Sequence, residues 1–171
     1  MKKIFYLTVC FVLMLTFSSC SSSARPDIMR IAQRLTATDE KYSFDYFDMF
    51  IYDNVYHVYL SLCEEDDVMI SFETDTDGNV NNVTVTAFAD SMNNPQSAEE
   101  LCSLFCAVID SFATLSQRET DEMNSALSFC DTAVYFTDVY ETFTSLRNNF
   151  VFSSNSRYMC LYCDYYEIMS G

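Results

Sequence analysis

Six cysteines beyond residue 20 supply most of the side chains in this sequence that could do chemistry. As thiolates they could bind a metal or act as nucleophiles, and as pairs they could form disulfides. Outside the cytoplasm an even number favours disulfides, whereas reducing conditions would leave free thiols that pack as small apolar residues, and the sequence leaves both alternatives open. The six are Cys63, Cys102, Cys106, Cys130, Cys160 and Cys163.

Two pairs of these cysteines have the spacing of thiol sites. Cys102 and Cys106 are four residues apart in a segment with helical periodicity, so they share one helix face and could provide half of a zinc site. A zinc ion needs further ligands, and burial in the apolar stripe of the helix is the commoner role of such cysteines.

Cys160 and Cys163 form a C-x-x-C pattern, but their segment has the pattern of a strand. Residues three apart on a strand face opposite sides, so we expect these two thiols not to meet.

The other polar residues do not predict a catalytic site. His57 is the only histidine, and the spacing places no acid or nucleophile beside it, so we expect a hydrogen-bonded or half-exposed side chain. The sequence has no phosphate-binding glycine loop and no nucleophile elbow. We therefore predict no catalytic residue, no metal and no cofactor.

The chain begins like a secreted protein. Lys2 and Lys3 precede an uncharged run from Ile4 to Phe17, and Ser18, Ser19 and Cys20 follow. The apolar run is shorter than the ~20 residues that a membrane-spanning helix needs, and it has the length of a signal peptide.

The stretch Phe17-Ser18-Ser19-Cys20 resembles the lipobox of bacterial lipoproteins. The resemblance implies that residues 1–19 are a signal peptide and that Cys20 is the first mature residue, carrying a diacylglycerol and fatty acids such as palmitate. It also implies an extracytoplasmic, lipid-anchored protein at the cell membrane or the outer membrane. Conventional cleavage after Ala24, which would give a secreted protein, is the alternative.

Charged residues are distributed unevenly along the chain. The net charge of the whole sequence is −16, yet basic residues are concentrated between Arg25 and Lys41, close to the expected anchor. We interpret residues 20–41 as a basic tether with a short helix, which either lies against anionic head groups or is solvated. Residues 42–171 are expected to form a single domain. Its acidity excludes nucleic acid as a partner and suits a cationic one.

Periodicity predicts an α+β fold with helices packed on one face of a largely antiparallel sheet. Residues 42–54, 55–63, 68–74 and about 80–89 read as consecutive strands of a meander, with Asp77-Gly78 as a hairpin turn. Two helices follow Pro95, capped at Ser97 and Ser116, and the spacing extends the second as far as Val134. Residues 132–147 suit either a strand or a helix. A terminal hairpin completes the chain.

Aromatic residues on the strands suggest a function. Exposed tyrosines on a sheet often mark a binding surface, although tyrosine is also a good strand former. The tyrosines concerned are Tyr52, Tyr56, Tyr59, Tyr158, Tyr162, Tyr165 and Tyr166. We expect a non-enzymatic envelope protein that binds a protein, peptide or other ligand at the membrane surface. The alternatives are a thiol- or metal-dependent envelope enzyme that uses the cysteines, and a structural component of an envelope complex.

Overall fold

The computed structural model describes residues 25–62, 68–89 and 95–165. The leader, the expected lipid site at Cys20, and Cys63 lie outside these residues. The helices are α1 (Ile28–Thr38), α2 (Pro95–Phe112) and α3 (Gln117–Ala126), with short 3-10 helices at Glu40–Tyr42 and Thr132–Val134. The strands are β1 (Phe50–Tyr52), β2 (Val55–Leu60), β3 (Val68–Thr74), β4 (Val80–Phe88), β5 (Val139–Thr144), β6 (Asn148–Ser154) and β7 (Tyr158–Tyr165).

The seven described strands form one antiparallel sheet in the order β1-β2-β3-β4-β7-β6-β5. It consists of two meanders, β1 to β4 and β5 to β7, which α2 and α3 separate in the chain. Pairing between β4 and β7, from Asn82 with Asp164 to Phe88 with Tyr158, joins the two meanders. The predicted α+β class and the meander are confirmed. The expected terminal hairpin is part of a three-stranded meander, because residues 139–144 form a strand.

Alternation along the central strands gives the sheet one apolar face. Val83, Val85 and Leu161 are fully buried, whereas their neighbours Thr84 and Tyr162 point to the other face and are half-buried. Helix α2 contacts β4 and β7, and the helices cover the apolar face. Full burial of each aliphatic side chain contributes about 1.5–3 kcal/mol, so this face holds the sheet to the helices.

A triangle of phenylalanine rings links three separate segments in the core. Phe105 of α2, Phe129 in the turn after α3, and Phe152 of β6 are all completely buried. Their ring centroids are 6.0 to 6.2 Å apart, at steep interplanar angles. Edge-to-face contacts of this kind are worth about 0.5–1.5 kcal/mol beyond burial, so they fix the turn after α3 against α2.

Helix α1 is packed into the domain rather than belonging to a separate tether. Ile28, Ile31 and Leu35 form its inner stripe and are at most 4% exposed, and the helix packs on α2. The carboxylate of Asp27 accepts a hydrogen bond from the backbone of Arg30 and caps the helix. The short helix that the sequence predicts is confirmed, but the packed domain begins before residue 42.

Basic side chains of residues 25–41 make contacts within the protein. The guanidinium of Arg25 lies 3.5 Å from the carboxylate of Asp75. Arg34 donates to a carbonyl of α2 at 2.6 Å, and the ammonium of Lys41 lies 3.3 Å from Glu100. Two of the four basic residues of this segment, Arg25 and Lys41, thus pair with carboxylates of the domain.

The first predicted strand is much shorter than expected. Of residues 42–54 only Phe50–Tyr52 form a strand, since Tyr42 ends a 3-10 helix and residues 46–48 form a turn. Asp53 and Asn54 have φ of 52° and 64°, which is the geometry of a two-residue hairpin turn.

The predicted turn at Asp77-Gly78 is present, but it is longer than a two-residue turn. Five residues separate β3 from β4, and within them Asp75 accepts backbone hydrogen bonds from Asp77 and Asn79.

The helix ends also differ from the prediction. Helix α2 begins at Pro95, so Ser97 lies within its first turn and is not its cap. The Ser116–Glu119 capping box of α3 is present as predicted. Helix α3 ends at Ala126 instead of continuing to Val134, because Leu127 adopts an extended backbone. This early end leaves the segment that carries Cys130 free to turn back toward α2.

Candidate functional site

Three cysteines from two parts of the chain meet beside α2. Cys102 and Cys106 lie one helical turn apart, and Cys130 lies in the turn after α3. Their three sulfur atoms are all within 4.8 Å of one another, and the Cys106–Cys130 distance is 4.0 Å. Among the described residues this is the one set of three metal-ligating side chains so close together. We call it the three-cysteine cluster.

The neighbours of Cys130 explain how it reaches α2. Phe129 is buried in the phenylalanine triangle, and its carbonyl accepts a 2.5 Å hydrogen bond from the hydroxyl of Tyr135. One residue earlier, the carboxylate of Glu141 accepts hydrogen bonds from the backbone and the hydroxyl of Ser128. Cys130 therefore directly follows two anchored residues, although its own side chain is exposed.

Hydrogen bonding among the thiols makes their acidities unequal. A hydrogen bond from Cys102 lowers the pKa of Cys106 to about 7, and Cys130 contributes in the same direction. The pKa of Cys102 is raised, chiefly by the hydrogen bond with Cys106 and then by burial. Burial is also the main cause that raises the pKa of Cys130. The first negative charge of the cluster therefore resides on Cys106, where two thiols stabilise it.

Two buried tyrosines, Tyr42 and Tyr135, lie near enough to the cluster to feel its charge. Burial raises the pKa of Tyr42 to about 12, and the charges of Asp39 and Glu100 and of the cluster cysteines act in the same direction. The pKa of Tyr135 is also raised by burial and then by the nearby thiols. Both phenols are thus neutral near pH 7.

The C-x-x-C cysteines do not form a site together. Cys163 is completely buried on the helix-covered face, and Cys160 is half-buried on the opposite face next to Thr86. Burial raises the pKa of both thiols. The prediction that these two thiols do not meet is confirmed. All five described cysteines have free thiols.

His57 takes part in contacts on the uncovered face of the sheet. Its Nδ1 lies 2.8 Å from the hydroxyl of Ser71. The ring of Phe50 stacks on the imidazole at 5.1 Å between centroids, and it stacks on Tyr59 at 5.8 Å. His57 is thus half-buried and hydrogen-bonded, as expected, and its partners are a hydroxyl and aromatic rings.

A second candidate site is the surface around the outer strand β1. Large side chains are exposed there: Phe47 at 97%, Tyr52 at 73% and Ile51 at 63%. We call this surface the aromatic corner; it consists of Tyr46, Phe47, Phe50, Ile51, Tyr52 and Tyr59. An open depression beside it is lined partly by Lys41, Asp48 and Tyr59.

Sequence patterns identified part of each candidate site. The helical spacing correctly placed Cys102 and Cys106 on one face, but it assigned Cys130 to a continuing helix and so missed the third thiol. Tyr52 and Tyr59 belong to the corner, whereas Tyr165 lies beneath the guanidinium of Arg25 at 5.1 Å. In residues 42–54, aspartates interrupt the aromatic residues, and this pattern was the available signal for a surface turn rather than a strand.

Comparison with known proteins gives no relative. No protein-family model, no curated protein and no solved structure matches the chain. None of the described helices is both long and apolar enough to span a membrane.

Proposed function

We propose that this protein is a lipid-anchored, non-enzymatic component of the bacterial cell envelope, and that its aromatic corner binds a cationic protein partner at the membrane surface. The anchor rests on the lipobox-like leader that ends at Cys20. The binding role rests on one observation, the cluster of exposed aromatic side chains around β1.

The connection between the anchor and the domain would be short. Arg25 lies against Asp75, and the carbonyl of Pro26 accepts a 2.9 Å hydrogen bond from the backbone of Val80. Five residue steps separate Cys20 from Arg25, and they span at most about 18 Å when fully extended. A lipid on Cys20 would therefore keep the domain against the membrane, where its partner would also have to be.

Composition of the corner suits a protein partner. Several large apolar side chains exposed in one segment are typical of an interaction site, and tyrosine offers a large contact area together with a hydrogen-bonding hydroxyl. Asp45, Asp48 and Asp53 lie among these aromatic residues and are all exposed. Together with the net charge of −16, they favour a partner with basic residues around an apolar contact.

The anchor is tested by the intact mass of the mature protein. The full-length chain and its Cys20→Ala variant are expressed in bacteria, and the membrane and soluble fractions are compared. We expect a membrane-bound form that begins at residue 20 and carries acyl mass, and we expect the variant to lose both properties. An unmodified chain beginning at Arg25 would refute the anchor.

The corner is tested with a photo-crosslinking amino acid at Tyr52 in living cells. The control is the same substitution at Tyr140, which is also 73% exposed but lies on β5, at the opposite edge of the sheet. We expect a discrete adduct from position 52 that Asp48→Asn and Asp53→Asn weaken. Equal adducts from both positions, or none from position 52, would refute the corner as the binding surface. An adduct with a large envelope assembly would favour the structural role.

A further inference from the structure

The three-cysteine cluster is independent of the aromatic corner and of the lipid anchor. We propose that it binds one thiophilic d10 cation, Zn²⁺ or Cu⁺, through the sulfur atoms of Cys102, Cys106 and Cys130, with one side of the ion facing solvent.

Distances between the sulfur atoms fit a shared ion. Two thiolates bound to one zinc ion at about 2.3 Å in tetrahedral geometry are about 3.8 Å apart. The observed Cys106–Cys130 separation is 4.0 Å, and all three separations are at most 4.8 Å. Small side-chain rotations would therefore bring the three atoms to bonding distance. A disulfide needs about 2.05 Å, so it would require a much larger movement.

The donor set selects the class of ion. Three soft thiolates favour Zn²⁺ and Cu⁺ and disfavour Mg²⁺ and Ca²⁺, which prefer oxygen ligands. Metals bind cysteine in its deprotonated form. Binding would release the remaining thiol protons to solvent, so no other reactant is needed.

Exposure of the cluster determines how the ion would enter. Cys102 and Cys106 are half-buried, whereas the side chain of Cys130 is exposed. An ion would reach the site from the Cys130 side and keep a coordination position for water or a small ligand. Structural zinc sites usually have four protein ligands, whereas sites with three protein ligands keep the fourth position for water or a small ligand.

The test measures metal bound by the mature protein, purified under anaerobic reducing conditions. Zn²⁺ and Cu⁺ are added in separate experiments with a competing chelator, and Co²⁺ is used as a spectroscopic probe. We expect one ion per chain, and a cobalt spectrum with thiolate charge-transfer bands and tetrahedral d–d bands. The ion that competes better against its chelator identifies the preferred metal.

Serine variants separate the cluster from other thiols. Cys130→Ser removes an exposed ligand and should leave the fold intact, which circular dichroism verifies. Loss of a supporting contact alone typically weakens metal binding about 10–100-fold, so loss of this ligand should weaken it by at least about tenfold. Cys160→Ser, on the opposite face of the sheet, should bind metal normally.

Three results would overturn the proposal. The first is Cys130→Ser protein that binds metal as tightly as the wild type, and the second is wild-type protein that retains no ion. The third is a Cys106–Cys130 disulfide, found by peptide mass spectrometry, in protein isolated from the envelope without reductant. None of these results affects the lipid anchor or the aromatic corner, which are tested by mass and by crosslinking.

Discussion

Replacing Leu35 with alanine should destabilise the whole domain, because α1 is part of the core. Leu35 is 0% exposed, so its side chain is completely removed from water on folding. The substitution deletes three carbon atoms, and at about 0.8 kcal/mol each the lost transfer free energy is about 2.4 kcal/mol. The remaining cavity adds to this value, so we expect the free energy of unfolding to fall by about 3–4 kcal/mol.

Urea unfolding of a soluble form that lacks residues 1–19 measures this loss. With a slope of about 2 kcal/mol per M, the unfolding midpoint should fall by about 1.5–2 M with the slope unchanged. Gln33→Ala is the matched control, because Gln33 is exposed on the same helix and should change the midpoint little. A midpoint for Leu35→Ala within about 0.3 M of the control would refute the packing of α1 and favour an independent tether.

Three further predictions concern caps, acidity and the turn that carries Cys130. Ser116→Ala removes the capping box of α3 and should cost about 1 kcal/mol in urea unfolding, whereas the neighbouring Thr114→Ala should cost little. Hydrogen bonds from the side chain and backbone of Asn79 hold the pKa of Asp75 below its ordinary value. The stabilisation of the fold by these bonds is therefore fully present when the pH is above the ordinary pKa, and it is lost as the pH falls through the lowered pKa. NMR titration should show the pKa of Asp75 rising in Asn79→Ala, and an unchanged pKa would contradict this assignment. Glu141→Ala leaves the backbone N–H of Ser128 without its acceptor and should loosen the turn, so that Cys130 leaves the cluster and is alkylated faster. An unaltered alkylation rate would contradict the anchoring role.

Local patterns in the sequence were sufficient for the fold class but not for its boundaries. The alternation in β4 and the helical stripe through Leu101 and Phe105 are strong signals, since each repeats over several turns or residues. The apolar face of α1 was visible too, yet the sequence could not show that it packs on α2, because that contact joins segments about 70 residues apart.

The cysteine cluster could be only half predicted for the same reason. Cys102 and Cys106 are related by helix geometry alone, which sequence spacing reveals. Cys130 reaches them because α3 ends at Ala126 and because Phe129 is drawn into an aromatic core built from α2 and β6. The first cause is a local change of backbone and the second is a long-range contact, and neither has a periodic signature.

The central pairing of β4 with β7 has a consequence for how the chain is made. Val83 pairs with Cys163, so the middle of the sheet closes only when the last strand becomes available. During synthesis the first meander is complete much earlier, with the inner edge of β4 unpaired and Val83, Val85 and Ala87 lacking part of their cover. An open edge of this kind pairs readily with other chains. Ribosomal stalling or proteolysis before Tyr158 would therefore leave an aggregation-prone fragment rather than a smaller working domain.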